Sequence, residues 1–325
     1  MRREKRPLSA ATAPRGHTSP DRAASIQRGR GRAAATLVLE QAAIDIVGEI
    51  QPCSVRAVAY KLFTRGLIED MLRNATNKVS ALLTRLREER LIPWAYIVDT
   101  GRLPDRIQTW HDPAQIVEAA VRGYRRDAWR EQPRRVQVVV EKGTVQSTIA
   151  PVLEEFGVTC RTMRGYGSAT ALNDLAEEAQ ADVRPLLLLY LGDHDPSGRH
   201  MSEIDIPERL DRYGGTAQIR RLAIDESDAR KDSGLPEFNA DTKIGDARYK
   251  WFVRRYGRRC VELDALDPPV LRKRLHDAIE ALIEPESWAH SKRIEAAEVE
   301  SMRLFHEQAK SILRLAPKCS SGGPA

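Results

Sequence analysis

Residues 185–198 read PLLLLYLGDHDPSG and place two aspartates, Asp193 and Asp195, directly after a run of apolar residues. An apolar run this short, bounded by Pro185 and Gly192, is typical of a strand that is buried on both faces of a sheet. In open parallel sheets, functional groups collect at the carboxyl ends of the strands. The sequence therefore predicts that a buried strand holds both aspartates at one edge of a sheet.

Strands and helices alternate around this segment. The segments VQVVVEK (136–142), VTCRTMR (158–164) and AQIRRLAI (217–224) each have the composition of a strand. Helical patterns at 145–156 and 168–181 lie between them. Strands that alternate with helices in this way predict a parallel α/β sheet.

The acidic residues that follow two of these strands predict a metal site. Glu141 ends one strand, and Asp193 and Asp195 follow another. Clustered carboxylates raise each other's pKa, and a divalent cation removes that cost. Oxygen ligands suit Mg²⁺. The alternative is an Asx turn before a helix that begins at Pro196. The side chain of His194, between the aspartates, is expected to point away from theirs and to be structural.

The N-terminal third of the chain has a helical pattern. Apolar spacing predicts helices at 36–47, at 55–65 with Ser54 as N-cap, and at 76–90. A strand at 91–99 and a turn should follow. Three helices, a strand and a turn form the winged-helix pattern, in which the third helix enters a DNA groove. A plain helical bundle is the alternative.

Four basic residues are candidates for contacts with DNA phosphates. Lys78 and Arg85 share one flank of the third predicted helix. Lys243 and Arg248 belong to the segment KIGDARYKWF. A solvated charged face is the alternative explanation for this second segment.

Positive charge is concentrated at the N-terminus. Residues 1–32 contain nine Lys or Arg residues against two acidic residues, a net charge of +7 in a chain of net charge +6. Together with its Ala, Pro, Ser and Gly content, this predicts a disordered basic arm over residues 1–35. Such an arm would contact nucleic-acid phosphates. The alternatives are a solubilising tail or a start codon placed too far upstream.

Composition limits the class of protein. The 325 residues are 42% hydrophobic and 30% charged, which predicts a globular protein with room for two cores. There is no apolar run of about 20 residues, so no membrane span is expected. The four cysteines are far apart, which is typical of a reducing, cytoplasmic compartment.

Four features in order resemble the Toprim fold of topoisomerases, primases and some nucleases. They are the strand that ends in Glu141 and Lys142, the RGYG loop (164–167), the buried strand, and the DHDPSG segment. The resemblance covers about residues 134–225. It implies that Glu141, Asp193 and Asp195 bind Mg²⁺.

The order of the two predicted domains resembles the A subunit of topoisomerase VI and the related meiotic double-strand-break transesterases. In that family the winged helix carries a nucleophilic tyrosine in a pattern like R-x-x-x-Y, which SVRAVAY supplies as Arg56 and Tyr60. The motifs VEKG, RGYGSATAL, GDHDPSG and GRRCVELDAL are further matches, so the resemblance spans about residues 36–285. One departure is Ala59, where the family often has an aromatic residue.

The resemblance implies an activity and partners. It implies a DNA topoisomerase-like, Mg²⁺-dependent double-strand cleavage in which Tyr60 forms a 5′-phosphotyrosyl link. It further implies double-stranded DNA as substrate, a homodimer in which Tyr60 meets the partner's metal site, and a nucleoid-associated location. The chain has no G-x-x-x-x-G-K-[ST] loop, so ATP-driven strand passage would need a separate ATPase B subunit.

The geometry of the second predicted helix bears on Tyr60 independently of the resemblance. At 100° per residue, Tyr60 lies about 140° from Val55, away from the apolar stripe of that helix. It is therefore predicted to face outward, with Arg56 one turn before it. A neighbouring guanidinium or metal would favour the phenolate. The alternatives are a Toprim nuclease that uses metal-activated water and a non-catalytic DNA-binding protein.

The sequence as a whole predicts a multidomain α/β and α+β protein. A basic arm (1–35) precedes a winged-helix domain (36–132) that carries the tyrosine. A Toprim-type parallel α/β sheet domain (133–285) and a C-terminal helix with a frayed tail (286–325) follow.

Overall fold

The computed structural model describes residues 34–98, 109–163 and 169–315. The predicted basic arm, the RGYG loop and the frayed C-terminal tail lie outside the described residues, apart from the last two positions of the arm.

The first described region is helical. It contains α1 (Ala34–Ile50), α2 (Val55–Thr64) and α3 (Arg73–Glu88), so the three predicted helices are confirmed. Ser54 caps α2 as expected, because its side-chain oxygen accepts a hydrogen bond of 3.1 Å from the backbone N–H of Ala57. The apolar stripes of the three helices share one core.

The strand predicted at 91–99 is wrong over most of its length. Trp94–Tyr96 instead form a 3₁₀ turn, and Ile97 makes a single parallel bridge to Cys53. Pro93 has no N–H to donate to a ladder, so a continuous strand is disfavoured at this point. The residues that would form the wing, 99–108, lie outside the described residues. Winged helix therefore stays a prediction for this region.

The next region contains a four-stranded sheet, and the predicted parallel α/β sheet is confirmed. All its strands run parallel, in the order β2-β1-β3-β4. The strands are β1 (Arg135–Val140), β2 (Thr159–Thr162), β3 (Leu186–Leu191) and β4 (Gln218–Ala223).

Helices precede the sheet, cover both of its faces and follow it. The helices up to β4 are α4 (Pro113–Gly123), α5 (Gly143–Phe156), α6 (Ala169–Gln180), α7 (Pro196–His200) and α8 (Ile206–Arg212). The later elements are β5 (Phe238–Asn239), α9 (Tyr249–Tyr256), β6 (Arg259–Cys260), α10 (Pro268–Glu280) and α11 (Pro285–Leu315). Within the described residues, no helix is at once long and apolar enough to cross a bilayer.

Strand β3 is buried on both faces, as its apolar run predicts. Leu187, Leu189 and Leu191 pack into the core shared with α5 and α10. Leu186, Leu188 and Tyr190 pack into the core shared with α6 and α8. Each of these side chains is at most 6% exposed, and burial of one leucine contributes about 1.5–3 kcal/mol. This strand therefore fixes the position of the residues that follow it.

The helical region is joined to the sheet region through α2 and α10. The Arg272 guanidinium on α10 donates to the backbone carbonyls of Gln51 and Pro52, at 3.0 and 3.2 Å. Lys61 on α2 forms an ion pair of 2.6 Å with Asp267. Helix α2 also packs on the 3₁₀ turn Leu263–Ala265, which lies just before α10.

Candidate functional site

The ends of β1 and β3 bring Glu141 and Asp193 together. Val140 pairs with Leu191 in the sheet, so the residues that follow leave the same edge. The backbone N–H of Asp193 donates a hydrogen bond of 3.0 Å to Glu141 Oε2. The predicted convergence of these two acids is therefore observed.

Two glycines make room for the Glu141 carboxylate. A Cβ atom at Gly192 would lie 2.8 Å from Glu141 Oε2, and a Cβ atom at Gly198 would lie 2.7 Å from the same oxygen. Both distances are too short for a side chain. A Cβ atom at Gly198 would also lie 2.4 Å from the backbone oxygen of Asp193, so glycine is required there, whereas a side chain at Gly192 would displace the ends of the Glu141 and Tyr190 side chains.

Asp195 lies at the start of α7 and is 2% exposed. Its Oδ1 accepts a hydrogen bond of 2.7 Å from the N–H of Gly198, and its carboxylate forms an ion pair with Lys243. This capping hydrogen bond corresponds to the Asx turn before Pro196, which is the alternative interpretation of the two aspartates given above. The two roles are compatible, because Asp195 Oδ2 is not used by the cap.

Asp193 is held by a lysine and a backbone amide. Lys142 Nζ lies 2.8 Å from Asp193 Oδ2, and the N–H of Leu263 donates to Asp193 Oδ1 at 2.8 Å. The same ammonium lies 3.4 Å from both Glu262 Oε2 and Asp264 Oδ2. Sequence reasoning missed Glu262 and Asp264 as site residues. The E-x-D spacing in VELDAL, similar to the D-x-D of Asp193 and Asp195, was the available signal.

The three predicted ligands do not form a closed metal cage. No choice of one oxygen from each of the three carboxylates lies within 4.8 Å of the other two, and the aspartates contact Lys142 and Lys243. One group of acids and histidine within the described residues does meet that distance. It comprises His276, Asp277 and Glu280 on α10, which are half-buried or exposed and form surface ion pairs.

Negative charge exceeds positive charge at this edge of the sheet. Five carboxylates face four cations, a formal excess of one negative charge. The carboxylates are Glu141, Asp193, Asp195, Glu262 and Asp264. The cations are Arg56, Lys142, Lys243 and Arg221, whose buried guanidinium donates to the backbone carbonyls of Gly192 and Asp193. Burial, together with Asp193 and Asp195, raises the pKa of Glu141 to about 7. Burial also raises the pKa of Asp193. A divalent cation would neutralise this excess.

The hydroxyl of Tyr190 is a second sign of a ligand. Tyr190 is fully buried, and its hydroxyl has no hydrogen-bond partner among the described residues. The hydroxyl lies 2.9 Å from the position of a Cβ atom at Gly192, and Glu141 Oε2 lies 2.8 Å from the same position. A buried hydroxyl without a partner is costly. The oxygen donors, the charge excess and this hydroxyl together fit a hydrated divalent cation.

His194 points away from the acids, as the sequence interpretation expects. Its Nδ1 accepts a hydrogen bond of 2.9 Å from Arg199 Nε, and its ring meets Phe252 and Tyr256 edge-to-face at 5.3 Å. Burial and the charge of Arg199 lower the pKa of His194 to about 3. The imidazole is therefore neutral and structural.

The prediction that Tyr60 faces outward is wrong. Tyr60 does point away from the helical core, but it is only 6% exposed, because it packs into the core between the sheet, α5 and α10. Helical periodicity shows that Tyr60 does not belong to the core of the three helices. It cannot show that a second core, formed by other parts of the chain, covers Tyr60.

Arg56 favours the Tyr60 phenolate, as predicted, but burial and Glu262 outweigh its effect on the pKa of Tyr60. The Arg56 guanidinium lies 5.6 Å from the Tyr60 ring centroid, but its Nε donates to Glu262 at 2.9 Å. Burial and the negative charge of Glu262 raise the pKa of Tyr60, and Arg56 only partly offsets this.

The four predicted DNA-contacting residues differ in their availability. Arg85 forms an ion pair with Glu40, and Arg248 binds Asp246 through two contacts of 2.6 and 2.9 Å. Lys243 pairs with Asp195. Lys78 is exposed, with no ion pair found for it among the described residues. The contact with DNA stays a prediction for all four.

The fold and site define a mixed α/β protein with a four-stranded parallel sheet and a buried acidic cluster at the carboxyl ends of its strands. No protein-family model matches the chain, and no match is found among curated proteins.

Proposed function

We propose that the protein cleaves DNA at a divalent-metal centre formed by Glu141, Asp193 and Asp195, as the topoisomerase VI A-subunit family does. The observation that carries the proposal is the hydrogen bond of 3.0 Å from the Asp193 N–H to Glu141 Oε2. It brings acids from two strands to one edge of a Toprim-like parallel sheet. The excess of negative charge and the unpaired Tyr190 hydroxyl support a cation there.

Each residue of the site has a distinct task in this proposal. Glu141, Asp193 and Asp195 would hold Mg²⁺, which when bound polarises the scissile phosphate and stabilises the leaving oxygen. Lys142 orients Asp193. Burial opposes the charge of Lys142, but Asp193, Asp264 and Glu262 outweigh it and raise the pKa, so this ammonium stays charged at neutral pH.

Tyr60 is the nucleophile that the family resemblance implies. Attack of its oxygen on phosphorus would form a 5′-phosphotyrosyl bond and break the bond to the 3′ oxygen. The phenol loses its proton, and the 3′ oxygen gains one. Because Tyr60 is buried against its own sheet region, α2 must first separate from the turn Leu263–Ala265. Tyr60 would then reach the metal site of a second copy in a homodimer.

A Toprim nuclease that uses metal-activated water is the second candidate. The burial of Tyr60 and its raised pKa favour it, because a phenol in this state is a poor nucleophile. Both candidates need the same three acids.

The proposal includes partners for the other surfaces. The helical region would bind double-stranded DNA as a winged helix through α3, where Lys78 is exposed. Strand passage driven by ATP would use a separate B subunit.

The experiment that tests the function combines labelled duplex DNA, protein and Mg²⁺ and ends in denaturant. The proposal predicts broken strands with wild type and none with Asp193→Asn. Label that stays bound to wild type, is lost in Tyr60→Phe and is kept in the matched control Tyr96→Phe supports transesterification. Cleavage unchanged in Tyr60→Phe supports hydrolysis by water. Cleavage that persists in both Asp193→Asn and Glu141→Gln would refute the metal centre.

A further inference from the structure

Lys243 is paired with one of the three proposed metal ligands. It ends the 3₁₀ turn Ala240–Lys243, and its ammonium contacts the Asp195 carboxylate. The Asp195 side chain is 2% exposed, whereas that of Lys243 is 36% exposed. The ammonium also lies 5.1 Å from the ring centroid of Phe238. The charged end of Lys243 is therefore inside the site, while part of its side chain reaches solvent.

Lys243 contacts one particular oxygen of Asp195. Asp195 Oδ1 accepts the capping hydrogen bond from Gly198, and Lys243 contacts Oδ2. Oδ2 is the oxygen that the helix cap leaves free, so a divalent cation that binds Asp195 through Oδ2 meets the Lys243 ammonium there. Two cations this close would repel each other strongly.

The other lysine of the site differs in its partners. Lys142 lies within 3.4 Å of Glu262 and Asp264 as well as near Asp193, so it keeps two carboxylates when Asp193 binds a metal. For Lys243, Asp195 is the one carboxylate found within ion-pair distance in the described part of the chain. A metal that takes Asp195 would thus release Lys243. A metal that takes Asp193 would not release Lys142.

We propose that Lys243 is a displaceable counter-ion of Asp195: it occupies the carboxylate in the metal-free protein, leaves when a divalent cation binds, and then contacts a phosphate of the bound DNA. This inference rests on the proposed metal centre. It makes Lys243 a residue that couples metal binding to DNA binding, because its ammonium becomes available for a phosphate only after the metal has taken Asp195.

The first test measures Mn²⁺ affinity by electron paramagnetic resonance in the absence of DNA. Lys243→Gln removes the competing charge, and Lys243→Met also keeps an apolar side chain against Phe238. Lys250→Gln removes the same charge from an exposed position on α9. We expect Mn²⁺ to bind the two Lys243 variants about tenfold more tightly than wild type, with Lys250→Gln unchanged.

The second test measures binding of duplex DNA by fluorescence anisotropy at several salt concentrations, with Ca²⁺ or with a chelator. With Ca²⁺, Lys243→Gln should lower the salt slope by about one relative to wild type, the effect of losing one phosphate contact. With a chelator, the slopes should agree, because Lys243 is then engaged by Asp195.

The outcomes separate this inference from the function on which it rests. If both Lys243 variants bind Mn²⁺ as tightly as wild type or more weakly, the counter-ion role is overturned and the metal centre is left intact. A salt slope that Lys243→Gln lowers equally with and without metal overturns the coupling. If neither wild type nor any variant binds Mn²⁺, the metal centre is refuted and this inference fails with it.

Discussion

Arg56 on α2 donates a hydrogen bond of 2.9 Å from Nε to Glu262 Oε2, which belongs to the segment between β6 and α10. The same nitrogen lies 3.6 Å from Asp264 Oδ2. Because Glu262 and Asp264 also contact Lys142, the pair links the helical region to the acidic site. Whatever separates α2 from the sheet region must break this contact.

We expect Arg56→Gln to lower the free energy of unfolding by about 1–3 kcal/mol, because it leaves the half-buried Glu262 with one cation fewer. Urea denaturation measures the loss. The matched control is Arg65→Gln on the same segment, since Arg65 pairs with Glu49 and both side chains are well exposed. That variant should lose less than about 1 kcal/mol. Equal losses in the two variants would contradict the proposed link.

Glu141 should make the metal-free protein less stable as pH rises. Its pKa is raised to about 7 in the folded state, from an ordinary value of 4.5, so the folded protein holds the proton more tightly than the unfolded chain. Stability therefore falls between about pH 4.5 and 7 and levels off above. Glu141→Gln removes this loss. We expect its free energy of unfolding to exceed that of wild type by about 2 kcal/mol at pH 8 and to match it at pH 5.

Chemical denaturation in the presence of a chelator measures this difference. Glu154→Gln on α5 is the control, because Glu154 is exposed, with no ion pair found for it in the described ranges. It should follow wild type at both pH values. A Glu141→Gln variant that is less stable than wild type at pH 8 would show that the carboxylate stabilises the fold rather than straining it.

The sequence predicted those parts of the site that depend on short segments. The apolar run before Gly192 predicts β3. Because functional groups collect at the carboxyl ends of parallel strands, the sequence also predicts that Glu141 and Asp193 lie close together. The contacts of Arg56 with Glu262 and Asp264 join residues more than 200 positions apart, and no local pattern encodes such a pairing.

The errors in the helical region have the same origin. The strand predicted at 91–99 rested on β-propensity, which is overridden by the geometry around Pro93. The exposure predicted for Tyr60 rested on one helix considered alone, whereas the second core that covers it comes from a distant part of the chain.

Tyr60 should contribute to stability through its ring and not through its hydroxyl. The ring packs in the core with the sheet, α5 and α10, so Tyr60→Ala leaves a cavity and should cost about 3–4 kcal/mol. Tyr60→Phe keeps the ring and should change the free energy of unfolding by less than about 1 kcal/mol. Thermal and urea denaturation compare the two. A large loss in Tyr60→Phe would mean that the hydroxyl is structurally required, and a cleavage defect in that variant would then not identify a nucleophile.

Mg²⁺ should stabilise the folded protein through Asp193 and not through the surface group on α10. A ligand that binds only the folded state adds about 2.7 kcal/mol at 100 times its dissociation constant, which raises the melting temperature as Mg²⁺ is added. In Asp193→Asn the increase should disappear, because the variant loses a ligand charge. In Asp277→Asn the increase should be kept, although Asp277 belongs to the group of His276 and Glu280, whose ligand atoms lie within 4.8 Å of one another. For each variant, the comparison uses the difference between its melting temperatures with and without Mg²⁺. The effect of the substitution itself on stability therefore cancels. Loss of the increase in Asp277→Asn, with its retention in Asp193→Asn, would place the metal on the surface of α10 and remove the basis for catalysis at the sheet edge.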